Sequence, residues 1–429
     1  MRSPTDPAAS TETPLQVEHG VSASESALQV QFLTQLGHAL ANAGDPVSST
    51  ERTLRDVADA YGMAAVGISV LPTMVLVRAQ QDLTRSIDMA GTEVDDDLRL
   101  DQVGALFEVV DQARQGRLSA QAGLDRLAAM WTAPARFGSV VRVLGHIILS
   151  VGLGLIITPR PSALLYCAGL GLMVGLLTEL GDQWSALDVL LPALGSGLVA
   201  VVVFEATKAG QVVAPLLLLI PPLITFLPGG TLTTAMVELA DRHPIAGATR
   251  LVAGSTQVVL IVFGILAGQA LVGIPPELAF AQRSDNLIGW WGPVLGPLVF
   301  AIGIYYHFVG PRGSLPWLCV IVYVAWAGET LGNDFLGGYF GGFVGALTMT
   351  MVAFWLDRLS AAPPFLVLFL PAFWLLVPGV LAVVGLADLV GNEAAVALFD
   401  LGRAAFTIVS IALGVLAGVA IARAVAVRA

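Results

Sequence analysis

The sequence predicts an α-helical polytopic membrane protein: ten transmembrane helices as two inverted five-helix repeats, with a small N-terminal α/β cytoplasmic domain. Three observations carry this reading. The 429-residue chain is 56% hydrophobic and only 12% charged, where a soluble domain carries about 25% charged residues. Beyond residue 135 it contains ten long charge-free runs. Its apolar part also overlays itself when shifted by 150 residues.

Charge divides the chain. Residues 1–135 hold 18 acids and 9 arginines, whereas 136–429 hold 14 acids and 12 basic residues, for a net charge of −11. An acidic polar part argues against nucleic acid as a partner. Residues 1–25 are rich in Ser, Thr, Pro and Glu without a charged-then-apolar signal pattern, which predicts a disordered cytosolic tail. Residues 26–135 predict the α/β domain. "ALQVQFLTQLGHALANAG" and "VSSTERTLRDVADAYGM" read as two helices over 28–62, with Gly44 and Gly62 at their ends. Strand-like runs follow at 64–71 and 73–80, separated by Pro72, then two helices near 97–115 and 119–131. Ser48, Ser49, Asp56 and His38 are the groups that suggest a hydrolase. They lack nucleophile-elbow or metal spacing, so a regulatory or gating role is expected and no enzyme activity.

The charge-free runs cover 143–159, 161–178, 189–204, 209–237, 251–276, 286–311, 313–328, 335–356, 359–387 and 404–422. A spanning helix needs about 20 apolar residues, which suits eight of them. The runs 209–237 and 359–387 have 29 residues each. As continuous helix each reaches about 43 Å, against a hydrocarbon core of about 30 Å. Each therefore predicts a broken helix, and both carry prolines. Ten spans put both termini on one side. With that side cytoplasmic, eight basic residues flank the inner ends and four the outer ends, as in a plasma-membrane protein with cytoplasmic termini.

The 150-residue shift pairs Pro161 with Pro311, Glu179 with Glu329, Pro221 with Pro371, Pro228-Gly229 with Pro378-Gly379, Glu238 with Asp388 and Gly264 with Gly414. Repeats 136–285 and 286–429 hold five spans each. An odd count makes the second enter from the opposite side. Inverted repeats with Pro/Gly-interrupted helices at matching positions point to a secondary transporter.

The stretch "PPLITFLPGGTLTTAMVELADRH" shows how such a break could bind substrate. Pro221, Pro222 and Pro228 remove backbone donors, and Gly229-Gly230 allows a turn. Thr231 is then placed to cap a helix over 232–242. Its positive N-terminus, with the hydroxyls of Thr231, Thr233 and Thr234, suits a carboxylate. Glu238, about two turns on, suits an ammonium group or a proton. Together these fit a zwitterion such as a small amino acid. At Pro378-Gly379 the residues that follow are apolar, so recognition is expected mainly from the first repeat. A plain surface helix with a Glu238–Arg242 pair is the alternative. Glu179 and Glu329, at opposite membrane faces, are further proton-coupling candidates. Gln257, with Thr256, is either pore-lining or interhelical. His146 reads as interfacial, and Asp182, Asp334 and Glu205 as loop-edge residues. No Cys/His cluster suggests a metal, no cofactor motif is present, and Cys167 and Cys319 read as buried thiols. The Gly-rich run 337–347 permits close packing within the chain or in a homo-oligomer.

With these residues in hand, the chain resembles the threonine/serine exporter family. "LGHALANAGDPVSSTE", "VADAYGM", "VLPTMVLV" and Thr84-Arg85 are similar to its N-terminal region. "FLPGGTLTTAMVELADRHPIAGATR" is similar to its Pro-Gly, Thr, Glu-Leu and Gly…Arg pattern, with Pro228, Gly229, Thr231, Thr234, Glu238 and Arg250 matching. The C-terminal half resembles a smaller half that is a separate chain in some relatives. The resemblance implies ten spans, a cytoplasmic N-terminal domain and export of threonine and serine driven by the proton motive force. It leaves small dicarboxylates such as succinate open as cargo. A membrane-tethered hydrolase or a regulatory protein without flux are the remaining readings.

Overall fold

The computed structural model describes residues 23–428 apart from 64–65, 82–83, 92–97, 185–186, 188, 282–285, 338–339, 360 and 377–393. The expectations on the 1–22 part of the tail, and on Pro378, Gly379 and Asp388, lie outside the described residues.

The N-terminal part starts with α1 (Ala23–Asn42) and α2 (Val47–Ala60). Gly44, at φ +77°, makes the turn between them, a left-handed conformation that glycine adopts without Cβ strain. A three-stranded antiparallel sheet follows in the order β1 (Val66–Leu71), β2 (Met74–Gln81), β3 (Thr84–Gly91). Its register pairs Leu71 with Met74 and Gln81 with Thr84. Helices α3 (Leu100–Arg114) and α4 (Ala120–Thr132) complete the part, with Ser119 Oγ accepting the Ala122 amide as the α4 cap. Phe32, Leu33, Leu36, Leu40, Leu54, Val75, Val77, Leu106 and Val110 form its buried core. The third strand is an addition to the expected pair. Its sequence, TRSIDMAG, lacks the β-branched run that marked the other two.

Six helices are long and apolar enough to cross a membrane: α5 (Ser139–Ile157), α6 (Pro161–Gly181), α7 (Leu191–Lys208), α10 (Pro244–Val272), α13 (Leu315–Leu336) and the 402–425 stretch of α16 (Ala394–Arg428). Between them lie α8 (Pro215–Leu219), a 3-10 helix (Pro221–Phe226), α9 (Gly229–Ala240), α11 (Pro276–Ala279) and α12 (Trp291–His307). Two shorter apolar helices, α14 (Gly341–Leu356) and α15 (Phe365–Leu375), complete the set. Among the described residues, the exposed large apolar side chains all lie at Val140 or later. A surface of that kind suits lipid, not water. The chain is thus a helical membrane protein.

Glycines set the packing. Along α5 and α12 a methyl group at Gly145 would sit 2.5 Å from the His307 amide nitrogen, and one at Gly303 2.5 Å from the Leu149 Cα. At Gly152 it would sit 2.7 Å from the Phe300 Cα, and at Gly296 2.5 Å from Ile156 Cγ1. As α5 advances from 145 to 156, its partner falls back from 307 to 296. The two helices are therefore antiparallel, each glycine opposing a large residue of the other, as in close small-residue packing. Elsewhere the contacts recur 150 residues on. Gly264 and Gly268 pack on the backbone of Gly197, and Gly414 and Gly418 on that of Leu347. Gly195 meets the Phe226 ring, and Gly345 meets Leu376.

Candidate functional site

The first 29-residue run is interrupted, as its prolines require. After α8 the chain tightens into the 3-10 turn, because Pro221 and Pro222 supply no amide hydrogens. It then extends at Leu227 and restarts as α9. The N-cap is Pro228 and the helix begins at Gly229, without a side-chain capping bond. The expected Thr231 cap is thus corrected: the two glycines are themselves helical, which moves Thr231 into the first turn.

An interrupted helix exposes carbonyls that lipid cannot satisfy. Two side chains supply donors. Gln257 Nε2 on α10 donates to the Phe226 carbonyl at 2.8 Å, and His146 Nε2 on α5 lies 3.1 Å from the Pro222 carbonyl. Gln257 is therefore both interhelical and cavity-lining. His146 is fully buried, which corrects its expected interfacial place.

A cavity of about 1910 Å³ opens between this break and the N-terminal part. From the break it is lined by Thr225, Gly230, Thr231, Thr234 and Gln257. Trp374 of α15 faces them, its indole nitrogen 3.9 Å from where a Gly230 Cβ would stand, and its ring packs tilted against Phe308 at 4.2 Å between centroids. Thr233 is buried and does not line the cavity; its hydroxyl has no hydrogen-bond partner among the described residues. Charges of both signs line the walls: Asp45, Asp111, Asp182, Asp241 and Asp357 against Arg52, Arg99, Arg114, Arg142, Arg250 and Arg423. Burial pushes the Asp45 carboxyl up to about 6, opposed by the Thr50 and Ser49 hydroxyls and by Arg114 and Arg250. It also pushes His38 down and Asp111 up.

Glu238 is spoken for. Its buried Oε1 lies 3.2 Å from Arg250 Nε and accepts the Val47 amide at 3.2 Å, while Oε2 has no partner among the described residues. Val47 is the first residue of α2, so a carboxylate meets a helix N-terminus. The surface-helix alternative fails, because the partner is Arg250, twelve residues on, and not Arg242. Glu179 pairs with Arg142 at 3.0 Å and Asp182 with the same guanidinium at 2.7 Å. Asp334 stands exposed in the last turn of α13, at its loop edge, and Glu329 lies about two turns inside that end. Sequence spacing missed Trp374, Asp45, His307 and every cavity arginine except Arg250. Each reaches the cavity from a different element, and only the fold joins them.

A polar cavity reaching an interrupted helix within an apolar helical bundle defines a membrane transport protein. A family model described as "Putative threonine/serine exporter" matches residues 31–272, more than half of the chain. The chain belongs to that family of threonine/serine exporters and is a membrane exporter. The match runs from α1 through α10 and takes in the whole break and Arg250. Searches of curated proteins and of solved structures find no match.

Proposed function

We propose that the protein is a secondary transporter exporting small hydroxy-amino acids, threonine or serine, across the plasma membrane and driven by the proton motive force. The observation that carries this is the cavity in which Gly230, Thr231 and Thr234 at the α9 N-terminus stand among acids and arginines of both signs. A zwitterion needs that mixture: a carboxylate suits the helix start, and an ammonium group suits an aspartate. Glu238 would join the site once the α2 N-terminus leaves it. The second half would contribute the break at Pro378 and Gly379, with Asp388 in the place of Glu238.

The architecture proposed is ten spans in two inverted five-helix repeats, 136–285 and 286–429, below a cytoplasmic α/β gating domain over 26–135. The antiparallel α5–α12 seam and the glycine contacts repeated at 150 residues support it. Both termini would then lie in the cytoplasm. The acids that the sequence offers for proton coupling are Glu238, or Glu179 and Glu329.

One observation favours dicarboxylate cargo instead. The sequence offered only Arg242 and Arg250 near the break, yet six arginines line the cavity, and Arg242 is not among them. Counterflow in proteoliposomes separates the readings. Labelled threonine should exchange against internal threonine and serine and not against succinate. Exchange with succinate alone overturns the amino-acid reading.

A further inference from the structure

Histidines scattered singly in the sequence meet in the fold. The rings of His146 on α5 and His307 on α12 lie 4.8 Å apart between centroids. Each has one nitrogen on a backbone carbonyl: His146 Nε2 on Pro222 in the 3-10 turn, and His307 Nδ1 on Arg142, both at 3.1 Å. The Nδ1 of His146 is buried and has no hydrogen-bond partner among the described residues. His307 lines the cavity, and His146 lies behind it against the break. A fully buried imidazole with an unpartnered nitrogen is costly unless it is used.

We propose that the His146–His307 pair is the proton-carrying site of transport. This rests on the proton-driven reading above and names the groups that carry it out. His307 takes a proton from cavity water on its nitrogen away from the Arg142 carbonyl. The proton passes to His146 Nδ1, and the resulting imidazolium tightens its bond to the Pro222 carbonyl. The interrupted helix thereby responds to the proton. No other species is needed, since one proton enters and one leaves per cycle.

The surroundings fit that role. On α5 the nearest charge is Arg142, which is held by Glu179 of α6 and by Asp182 just beyond it. The 3-10 helix and α15 carry no titratable side chain. Next to His307 on α12 are Tyr305 and Tyr306, and Tyr305 accepts from Arg136. From α3, whose Leu100 amide donates to the Phe308 carbonyl, comes Asp101, paired with Arg99 at the N-cap of that helix. Glu329 and Asp334 sit past the middle of α13, about 20 Å or more along it from its His307 end. Two imidazoles this close cannot both charge easily, so the pair holds one proton at a time. Glu238 and Glu179, each tied to an arginine, then anchor their elements and do not carry the proton.

The test uses full-length protein in proteoliposomes with labelled threonine and with labelled succinate. Each is measured in two ways: counterflow without a pH gradient, and accumulation driven by a gradient of one unit. One proton per substrate gives about tenfold accumulation per pH unit. His146→Gln keeps an amide for the Pro222 carbonyl but holds no proton, and His307→Gln does the same for its partner. Both variants should accumulate nothing beyond equality, and His146→Gln, which does not line the cavity, should retain counterflow. Gradient-driven accumulation equal to wild type in either variant overturns the proposal. Loss of counterflow along with accumulation in His146→Gln also overturns it, because the histidines then serve structure alone. A wild type that exchanges but ignores the gradient defeats the proton-driven reading itself, and the histidine proposal with it. If the variants fold poorly, pyranine inside wild-type vesicles reports the proton directly. Diethyl pyrocarbonate, reversed by hydroxylamine, should then abolish proton movement while sparing exchange, and unchanged proton movement counts against the pair.

Discussion

Arg250 Nε lies 3.2 Å from Glu238 Oε1, and that same oxygen receives the Val47 amide. One carboxylate thus joins the interrupted helix, the helix after it and the start of α2. The Glu238 side chain is fully buried and the Arg250 side chain nearly so, at 17% exposure. Breaking a buried pair by removing one partner typically costs about 3–5 kcal/mol, because the other charge is left stranded. Arg250→Ala should therefore lower the unfolding midpoint in detergent markedly. Glu238→Gln keeps an acceptor for Val47 and should lower it less. The double variant should be more stable than Arg250→Ala alone. A wild-type midpoint for Arg250→Ala would show that the pair contributes nothing.

Asp45 makes the N-terminal part sensitive to pH. Its carboxyl stands at about 6 in the folded protein against an ordinary 3.8. A raised value means that the folded state favours the neutral acid. The stability this brings is complete below about pH 4 and is lost as pH rises through about 6; the difference of roughly two units corresponds to about 3 kcal/mol. Resistance of the N-terminal part to limited proteolysis should thus fall between about pH 4 and 6 and level off above that. Asp45→Asn, which can still accept from Thr50 Oγ1, should flatten that change and resist best at pH 7. A slope unchanged in the variant would assign the effect to another group.

The break and the Glu238 contacts differ in how far the sequence reveals them. Pro221, Pro222 and the 29-residue run between charges locate the interruption, because donors are lost at those positions whatever surrounds them. The start of α9 at Gly229 was not legible, since a helical glycine pair beat the threonine cap only in the packed protein. Glu238 was visible as a site acid, but its partner Val47 lies 191 residues away. Local spacing suggests Arg242, and only the turn after α9 brings Arg250 back instead. Likewise His146 and His307 meet because α5 and α12 run antiparallel, and no motif encodes that. The third strand went unread because its alternation is polar and its register is set by β2.

The antiparallel seam invites a direct substitution. A methyl at Gly152 would stand 2.7 Å from the Phe300 Cα, which is backbone and cannot swing aside. Overpacking of this kind costs typically about 1–3 kcal/mol. Gly152→Ala and Gly303→Ala should each lower the unfolding midpoint. The pair together should cost less than the sum, because the first methyl already separates the helices. Gly169→Ala on α6, where a Cβ meets nothing within 4 Å, serves as the control and should leave the midpoint unchanged. Full additivity at the seam would mean that the two glycines act at independent contacts.

Gln257 decides whether the break is held by protein or by water. Its Nε2 donates to the Phe226 carbonyl at 2.8 Å, in the turn just before the extended residues. A carbonyl left without a donor in a dry interior costs about 1–3 kcal/mol. Gln257 also lines the cavity, so water can enter when the amide is removed. Gln257→Leu should therefore fall at the low end, near 1 kcal/mol. Gln257→Glu keeps the size but sets a carboxylate oxygen against the carbonyl oxygen, and should cost more. The two variants separate packing from hydrogen bonding when midpoints are compared with the KM of the proposed threonine transport. If Gln257→Leu leaves both at wild-type values, solvent already satisfies the Phe226 carbonyl, and the broken helix is stabilised by its prolines and glycines and not by α10.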